Sequence, residues 1–294
     1  MIGLSIITGT LAAFLWSVGD LFAKRTIPVW KGSLPWVLWG QLAGTLFYLG
    51  MFCFGDLAVP SVSPQGVLVL AVLGLVGLGG YLCFFSAIEK GKLAIVCPVA
   101  SAWAGVTFIL TVLFFPGSLP ANAWLFLMLV LAGVVLVSMP DLSPTTRRHG
   151  SSRLSIVLAL GAVLCWGIFN FSVKLTAIAA GPYLPIFAVK AWGALFAIVL
   201  WRRKTLPIPK LSRHLTVIGG LLALPAAAIL DIGAYAAYVH GATHGSVPVV
   251  AAFGSLFSLF AALFGVAFMK ERLTRLQWGG IGLIVVGSFF LMMG

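Results

Sequence analysis

Ten unbroken apolar stretches, each about 20 residues long, fill most of the 294-residue chain and leave it few ways to fold. They run over 3–23, 34–54, 66–88, 93–115, 121–139, 154–174, 184–201, 215–239, 246–269 and 276–293. A helix that crosses a bilayer needs about 20 mostly apolar residues. The breaks between stretches carry charge, Pro or Gly, as at Lys31-Gly32, Pro60 to Pro64, Pro116 to Pro120 and Pro207 to Pro209. A membrane β-barrel would alternate apolar and polar positions, whereas these runs are apolar on every face. The expected fold is therefore an all-α integral membrane protein with ten transmembrane helices and the lipid bilayer as its first partner. Only 8% of the residues are charged, against about 25% in a soluble domain. A soluble enzyme, a disordered regulator and a nucleic-acid-binding protein are excluded on that count, despite a net charge of +12.

The cations serve as orientation signals instead. Five breaks hold sixteen of the 18 Lys and Arg: Lys24, Arg25 and Lys31; Lys90 and Lys92; Arg147, Arg148 and Arg153; Arg202, Arg203, Lys204, Lys210 and Arg213; and Lys270, Arg272 and Arg275. These are alternate breaks, and the ones between them are nearly free of cations. Cytoplasmic loops carry the excess of Lys and Arg. The expectation is a multi-pass protein of the plasma (inner) membrane with both termini outside the cytoplasm. Met1-Ile2-Gly3-Leu4 lacks a positive n-region and no small-residue cleavage site follows, so the first stretch reads as a retained span. Trp30, Trp36, Trp39, Trp124, Trp201 and Trp278 lie near span ends and read as interface anchors. The four cysteines, Cys53, Cys83, Cys97 and Cys165, show neither CxxC nor metal-ligand spacing and read as small buried hydrophobes.

The chain also resembles itself. A shift of 150 residues lays Ala12, Trp16 and Lys24 on Ala162, Trp166 and Lys174, with Asp20 opposite Asn170. A shift of 154 lays Tyr81, Gly91, Val96, Ser101 and Trp124 on Tyr235, Gly245, Val250, Ser255 and Trp278. Each half holds five spans, an odd number, so the second half must enter the membrane upside down. The break after span one is basic while its counterpart holds only Lys174 at its edge; the break after span two has no cation while its counterpart has five. Two inverted five-helix repeats are a recurrent design of secondary transporters. The expected organisation is a first repeat over 1–139, a cytoplasmic linker over 140–153 and a second repeat over 154–294.

On these residues the chain resembles the EamA-type transporters of the drug/metabolite transporter superfamily. The resemblance is carried by Leu15-Trp16 to Lys24 and its partner Cys165-Trp166-Gly167 to Lys174, and by Ala87 to Lys92 leading into Ala94-Ile95-Val96-Cys97-Pro98. Gly241 to Gly245 leading into Val247-Pro248, and Lys270-Glu271-Arg272-Leu273-Thr274 followed by Gly279 and Gly287, complete it. It covers nearly the whole chain and identifies a family, not a substrate. Gly117 stands where the second half has Glu271, which confines any role of Glu271 to one half, as a structural or topogenic residue. Small multidrug transporters of the same superfamily use a first-span acid for proton coupling; the resemblance does not locate that role at Asp20.

Few groups in the spans can do chemistry. Asp20, Lys190 and Asp231 are the charged residues within them, and a charge at mid-helix costs about 2.5–3.5 kcal/mol on insertion scales, so it usually faces a bundle interior. Lys190 lies some six residues from the outer end of its span and Asp231 about nine, depths close enough for an ion pair. That pair has two readings: self-neutralisation, or a couple that meets a polar solute. Asp231, Tyr235 and Tyr238 share one helix face by spacing, and aromatic walls with polar tips suit a small-molecule pocket. Asp20 is either a partner for Lys24 at i+4 or a coupling residue, as Asp231 also is, with a proton as the candidate ion. Trp16 and Trp166 are candidate cavity walls. Ser101 and Ser255 join the candidate solute contacts; like Gln41 and Asn170, they can equally bond a neighbouring helix. Pro98, Pro225 and Pro248 free backbone carbonyls and allow bending, and Gly74, Gly77, Gly79 and Gly80 permit close helix approach.

No P-loop and no HExxH is present, and His240 with His244 lacks a third ligand, so neither cofactor nor metal is expected. The expected function is alternating-access transport, in the export direction, of a small polar metabolite. An amino-acid-like zwitterion would suit a couple of opposite charges. A lipid-linked carrier flippase is the alternative; an integral membrane enzyme would need a cluster of catalytic groups that the chain does not offer. Monomer and homodimer both remain open.

Overall fold

The computed structural model describes residues 2–54, 61–114, 123–139, 153–181, 183–206, 215–244, 250, 253–254 and 256–293. Among these residues every regular element is an α-helix: α1 (Ile2–Thr26), α2 (Ser33–Phe54), α3 (Pro64–Lys90), α4 (Leu93–Ser101), α5 (Trp103–Phe114), α6 (Ala123–Ser138), α7 (Arg153–Ala180), α8 (Leu184–Arg202), α9 (Leu215–His244), α10 (Phe257–Met269) and α11 (Arg275–Met293). Six of these are long and apolar enough to cross a membrane: α1, α2, α3, α7, α8 and α9. Shorter apolar helices occupy the other four apolar stretches: α4 with α5, Trp124–Val137, Phe257–Met269 and Arg275–Phe290. The fold is all-helical and multi-pass, as the hydropathy requires.

Local chemistry sets the helix limits. At the start of α3, Ser63 Oγ accepts from Gly66 N (3.2 Å) with Pro64 in the first turn, a position where the missing N–H costs nothing. Inside the stretch 93–115 the helix does not run through. It stops at Ala102, whose N–H turns to Val99 O, and restarts at Trp103. The physical origin lies upstream, where Pro98 removes a donor from the ladder and Ser101 Oγ donates to Pro98 O (2.7 Å). The same turn recurs 154 residues later, as Leu256 N to Phe253 O.

Small residues bring the helices together. α1 lies against α9, α3 against α7 and α8, α2 against α8, α4 against α10, and α6 against α11. A Cβ on Gly74 would lie 2.8 Å from the Ala188 backbone, and one on Gly80 would enter the Trp166 indole. The span-three glycines thus permit the close approach read from the sequence. Cys97 is buried within this packing and Cys53 is exposed.

The helix ends of one face are laced together. Lys24 Nζ donates to Ile88 O (2.6 Å) and Gly91 O (2.5 Å), Glu89 Oε2 accepts from Ser33 N (3.0 Å), Lys92 Nζ donates to Arg272 O (2.9 Å), and Gln277 Nε2 donates to Met139 O (3.2 Å). Three basic breaks and the start of a fourth therefore share a face. Lys24 does not pair with Asp20, because its ammonium is taken up by these carbonyls at the end of α3. The sharpest tie is Glu271. The chain turns at Lys270, in the left-handed region (φ 55°), and sends the Glu271 carboxylate to Leu93 N and Ala94 N, both at 2.8 Å. Leu93 and Ala94 are fully buried, so these N–H groups of the first turn of α4 have no water to turn to. The carboxylate satisfies both and opposes the positive helix end. Glu271 is thus structural, as its absence from the first half implied.

Two interface anchors are corrected. Trp30 and Trp36 are buried; Trp36 Nε1 donates to Thr26 Oγ1 (2.9 Å) and its ring lies 4.8 Å from Phe85. An indole at a span end has the same signature whether it turns outward or inward. Trp124 and Trp201 are exposed, as anchors should be. Of the linker 140–153, only Arg153 belongs to the described residues.

Candidate functional site

Three helices build a charged centre. α8 carries Lys190, whose stem lies across Gly44 of α2, where a Cβ would meet Lys190 Cδ at 3.0 Å. The ammonium donates to Asp231 Oδ2 of α9 at 2.5 Å and sits 4.7 Å from the centroid of the Tyr81 ring of α3. Tyr81 OH donates to both carboxylate oxygens at 3.2 Å. Lys190 is 4% exposed, so its charge is compensated from three directions: by the carboxylate, by the ring face and by the phenol that steadies the carboxylate. The pair expected from depth is formed, and Tyr81 is its third member.

Two cavities flank this centre. The larger, about 150 Å³, is lined mainly by aromatic side chains and reaches Asp231, Asp20, Ser101 and Asn170. A cavity of that size holds a group as large as benzene. Trp16, Trp166, Tyr235 and Tyr238 all stand on its wall, together with Trp103, Phe84, Phe169 and Phe257. Trp166 packs edge-on to Tyr81 (5.9 Å), and Trp16 lies 6.0 Å from Tyr238. The smaller cavity, about 50 Å³, touches Lys190, Gln41, Gly40 and Trp36, and shares Trp16, Asp20, Tyr81 and Asp231 with the larger. Asp231 and Tyr81 thus stand on a wall common to both, while Lys190 faces the smaller cavity.

Of the residues singled out from the sequence, Trp16, Asp20, Ser101, Trp166, Asp231, Tyr235 and Tyr238 line the larger cavity and Lys190 the smaller. Ser255 lies outside the described residues. Asp20 is buried, with one described hydrogen bond, a long one from Cys97 Sγ (3.8 Å). Asn170 faces the cavity with its Nδ2 donating to Trp166 O (2.8 Å), and Ser101 lends its proton to Pro98 O. Tyr81, Trp103 and Phe84 were missed as wall residues. The repeat held the signal, since a shift of 154 residues carries Tyr81, Phe84 and Trp103 onto Tyr235, Tyr238 and Phe257.

The model of the EamA-like transporter family matches residues 3–139 and, again, residues 153–293. The chain belongs to the EamA-like transporter family. It is a multi-pass membrane transporter of the drug/metabolite type, and proteins of this family carry solutes and are not enzymes. An uncharacterized protein of Methanocaldococcus jannaschii is 28% identical over 140 residues, which make up 47% of this chain and 98% of that protein. A crystal structure with 19% identity covers 97% of this chain and 95% of its own at a TM-score of 0.62, a likeness of fold alone.

Proposed function

We propose that this EamA-family member exports a small zwitterionic solute of amino-acid type by alternating access, with the Lys190–Asp231 couple and the aromatic cavity beside it as the solute site. The observation that carries the reading is the ion pair itself, set in the wall of a cavity instead of sealed inside a helix bundle. A buried pair contributes little to stability after desolvation of both partners, so its retention in a cavity wall favours a role in binding. A zwitterion can exchange into such a pair, its carboxylate taking up the ammonium and its ammonium the carboxylate, without leaving a charge alone in the membrane. Asp231 and Asp20 are the coupling candidates of this reading, with a proton as the coupling ion.

In the same reading, 1–139 and 154–294 are two inverted five-helix repeats joined by a cytoplasmic linker, and the laced basic face is cytoplasmic. Supporting this are the doubled family match, a relative that spans half the chain, and packing that is preserved when the halves are exchanged: α1 on α9 mirrors α7 on α3.

Counterflow in proteoliposomes tests the substrate class. Labelled amino acids with compact side chains are expected to exchange, and analogues with an amidated carboxyl or an acylated amine to exchange at least about tenfold more slowly. Equal exchange of the blocked analogues overturns the reading.

A further inference from the structure

The smaller cavity holds two polar groups that the ion pair leaves unpartnered among the described residues. Lys190, Asp231 and Asp20 are the ionisable residues on its wall; Lys190 pairs with Asp231, which leaves the Asp20 carboxyl without an ionic partner among the described residues. Among the described residues Asp231 has two donors, Lys190 and Tyr81, whereas Asp20 has the distant Cys97 thiol alone. Gln41, on the same wall, is 3% exposed and its Oε1 has no hydrogen-bond partner among the described residues. A buried amide oxygen without a donor is costly. Of the described buried side-chain atoms in that condition, Gln41 Oε1 alone belongs to a residue lining either cavity. A carboxyl without an ionic partner and an unsatisfied amide oxygen on one small wall have a common remedy, a compact cation that takes oxygen ligands. Tyr81 OH, which spends its proton on Asp231, leaves its oxygen lone pairs free to serve as a third ligand.

We propose that the smaller cavity is a binding site for one compact monovalent cation, held by the Asp20 carboxylate and Gln41 Oε1 with Tyr81 OH beside them. A volume of about 50 Å³ accommodates one such ion, whereas a water needs roughly 10–15 Å³ by the same measure, and it is too small for a whole amino-acid-like solute. The cation is either an alkali ion or an ammonium group reaching through from a solute in the larger cavity, since the oxygen ligands and the charge suit both. The site shares Asp231 and Tyr81 with the proposed solute site and rests on that reading only for what the cation is coupled to.

Thermal unfolding of the purified full-length protein at constant ionic strength and pH 7.5 tests it. Sodium, potassium, ammonium and N-methyl-D-glucamine chlorides are compared, followed by methylamine and zwitterionic solutes. A saturable rise in Tm of about 3 °C or more with a compact cation, absent with N-methyl-D-glucamine, is expected. Response to sodium or potassium assigns the site to an alkali ion; response to ammonium, methylamine and amino solutes alone assigns it to the solute's ammonium group. Gln41→Leu is expected to weaken the response at least about tenfold in half-saturating concentration, and Gln41→Glu to strengthen it. The Glu variant decides the matter if the Leu variant fails to fold. Identical responses to all four cations, a response unaltered by both Gln41 variants, or stabilisation that follows pH alone and disappears in Asp20→Asn would overturn the proposal. Failure of counterflow with cation binding intact would instead sink the solute reading alone.

Discussion

At the scale of single residues, Lys190 matters through what surrounds it. Its ammonium is buried against Asp231 and the Tyr81 ring, so removing the positive charge strands a carboxylate. Lys190→Met should cost about 3–5 kcal/mol, and Lys190→Met combined with Asp231→Leu should recover most of that loss, as read by thermal unfolding in detergent. The double variant is expected to stay folded and transport nothing; a folded double variant that transports would separate the pair from function. Tyr81→Phe keeps the ring and removes the bond to Asp231. It should cost about 1.5–3 kcal/mol and raise the KM of exchange more than it lowers the maximal rate. The charges were legible in the sequence because a charge in an apolar span has few places to go. Trp36 and Gln41 were not placed correctly or fully, because helices apolar on all faces carry no stripe to separate lipid-facing from inward-facing positions; lipid is as apolar as a packed interior.

At the scale of elements, the first turn of α4 depends on a residue from the far end of the chain. Glu271→Ala should free the buried N–H groups of Leu93 and Ala94 and cost about 1–2 kcal/mol. Gly265→Ala should do comparable harm, since its Cβ would lie 2.6 Å from Glu271 Oε2. Both are checked by Tm, and unaltered unfolding would refute the cap. The packing of α3 on α7 has a sharper probe. A Cβ at Gly161 would lie 3.7 Å from Cys83 Cβ, within the range of disulfides, about 3.5–4.5 Å. Gly161→Cys in a Cys165→Ser background should oxidise to a bond that holds the halves together after cleavage at a protease site placed in 140–152. Halves that separate on a non-reducing gel would contradict the packing. The positions of six spans were legible from hydropathy, since length and apolarity suffice, and shorter apolar helices occupy the other four stretches. The interruption at Ala102 was not, because neither Gly nor Pro marks it and the Pro98 that prepares it lies four residues earlier.

At the scale of the whole molecule, the proposed repeat makes the site's asymmetry meaningful. A shift of 150 residues puts Gly40 opposite Lys190, and a shift of 154 puts Gly77 opposite Asp231. The aromatic walls are doubled, with Trp16 and Trp166 as one couple and Tyr81 and Tyr235 as another, while both members of the ion pair belong to the second half. A symmetric chamber with a one-sided pair gives a zwitterion a single preferred orientation, which two identical halves could not impose. In the proposed orientation both ends lie outside the cytoplasm: a phosphatase fused to Gly294 that is active only outside the cytoplasm should be active, and an inactive fusion would reverse the orientation. The doubling that the family match shows was legible only in part, since residues recur weakly in so apolar a composition, and the proposed inversion rests on the loop charges. The central claim is that the Lys190–Asp231 couple is where the solute binds, and counterflow of a labelled amino acid in proteoliposomes, comparing the native chain with Lys190→Ala and Asp231→Asn at equal folded amounts, tests it most directly. Exchange should fall at least about tenfold in each variant; native exchange in both would contradict it.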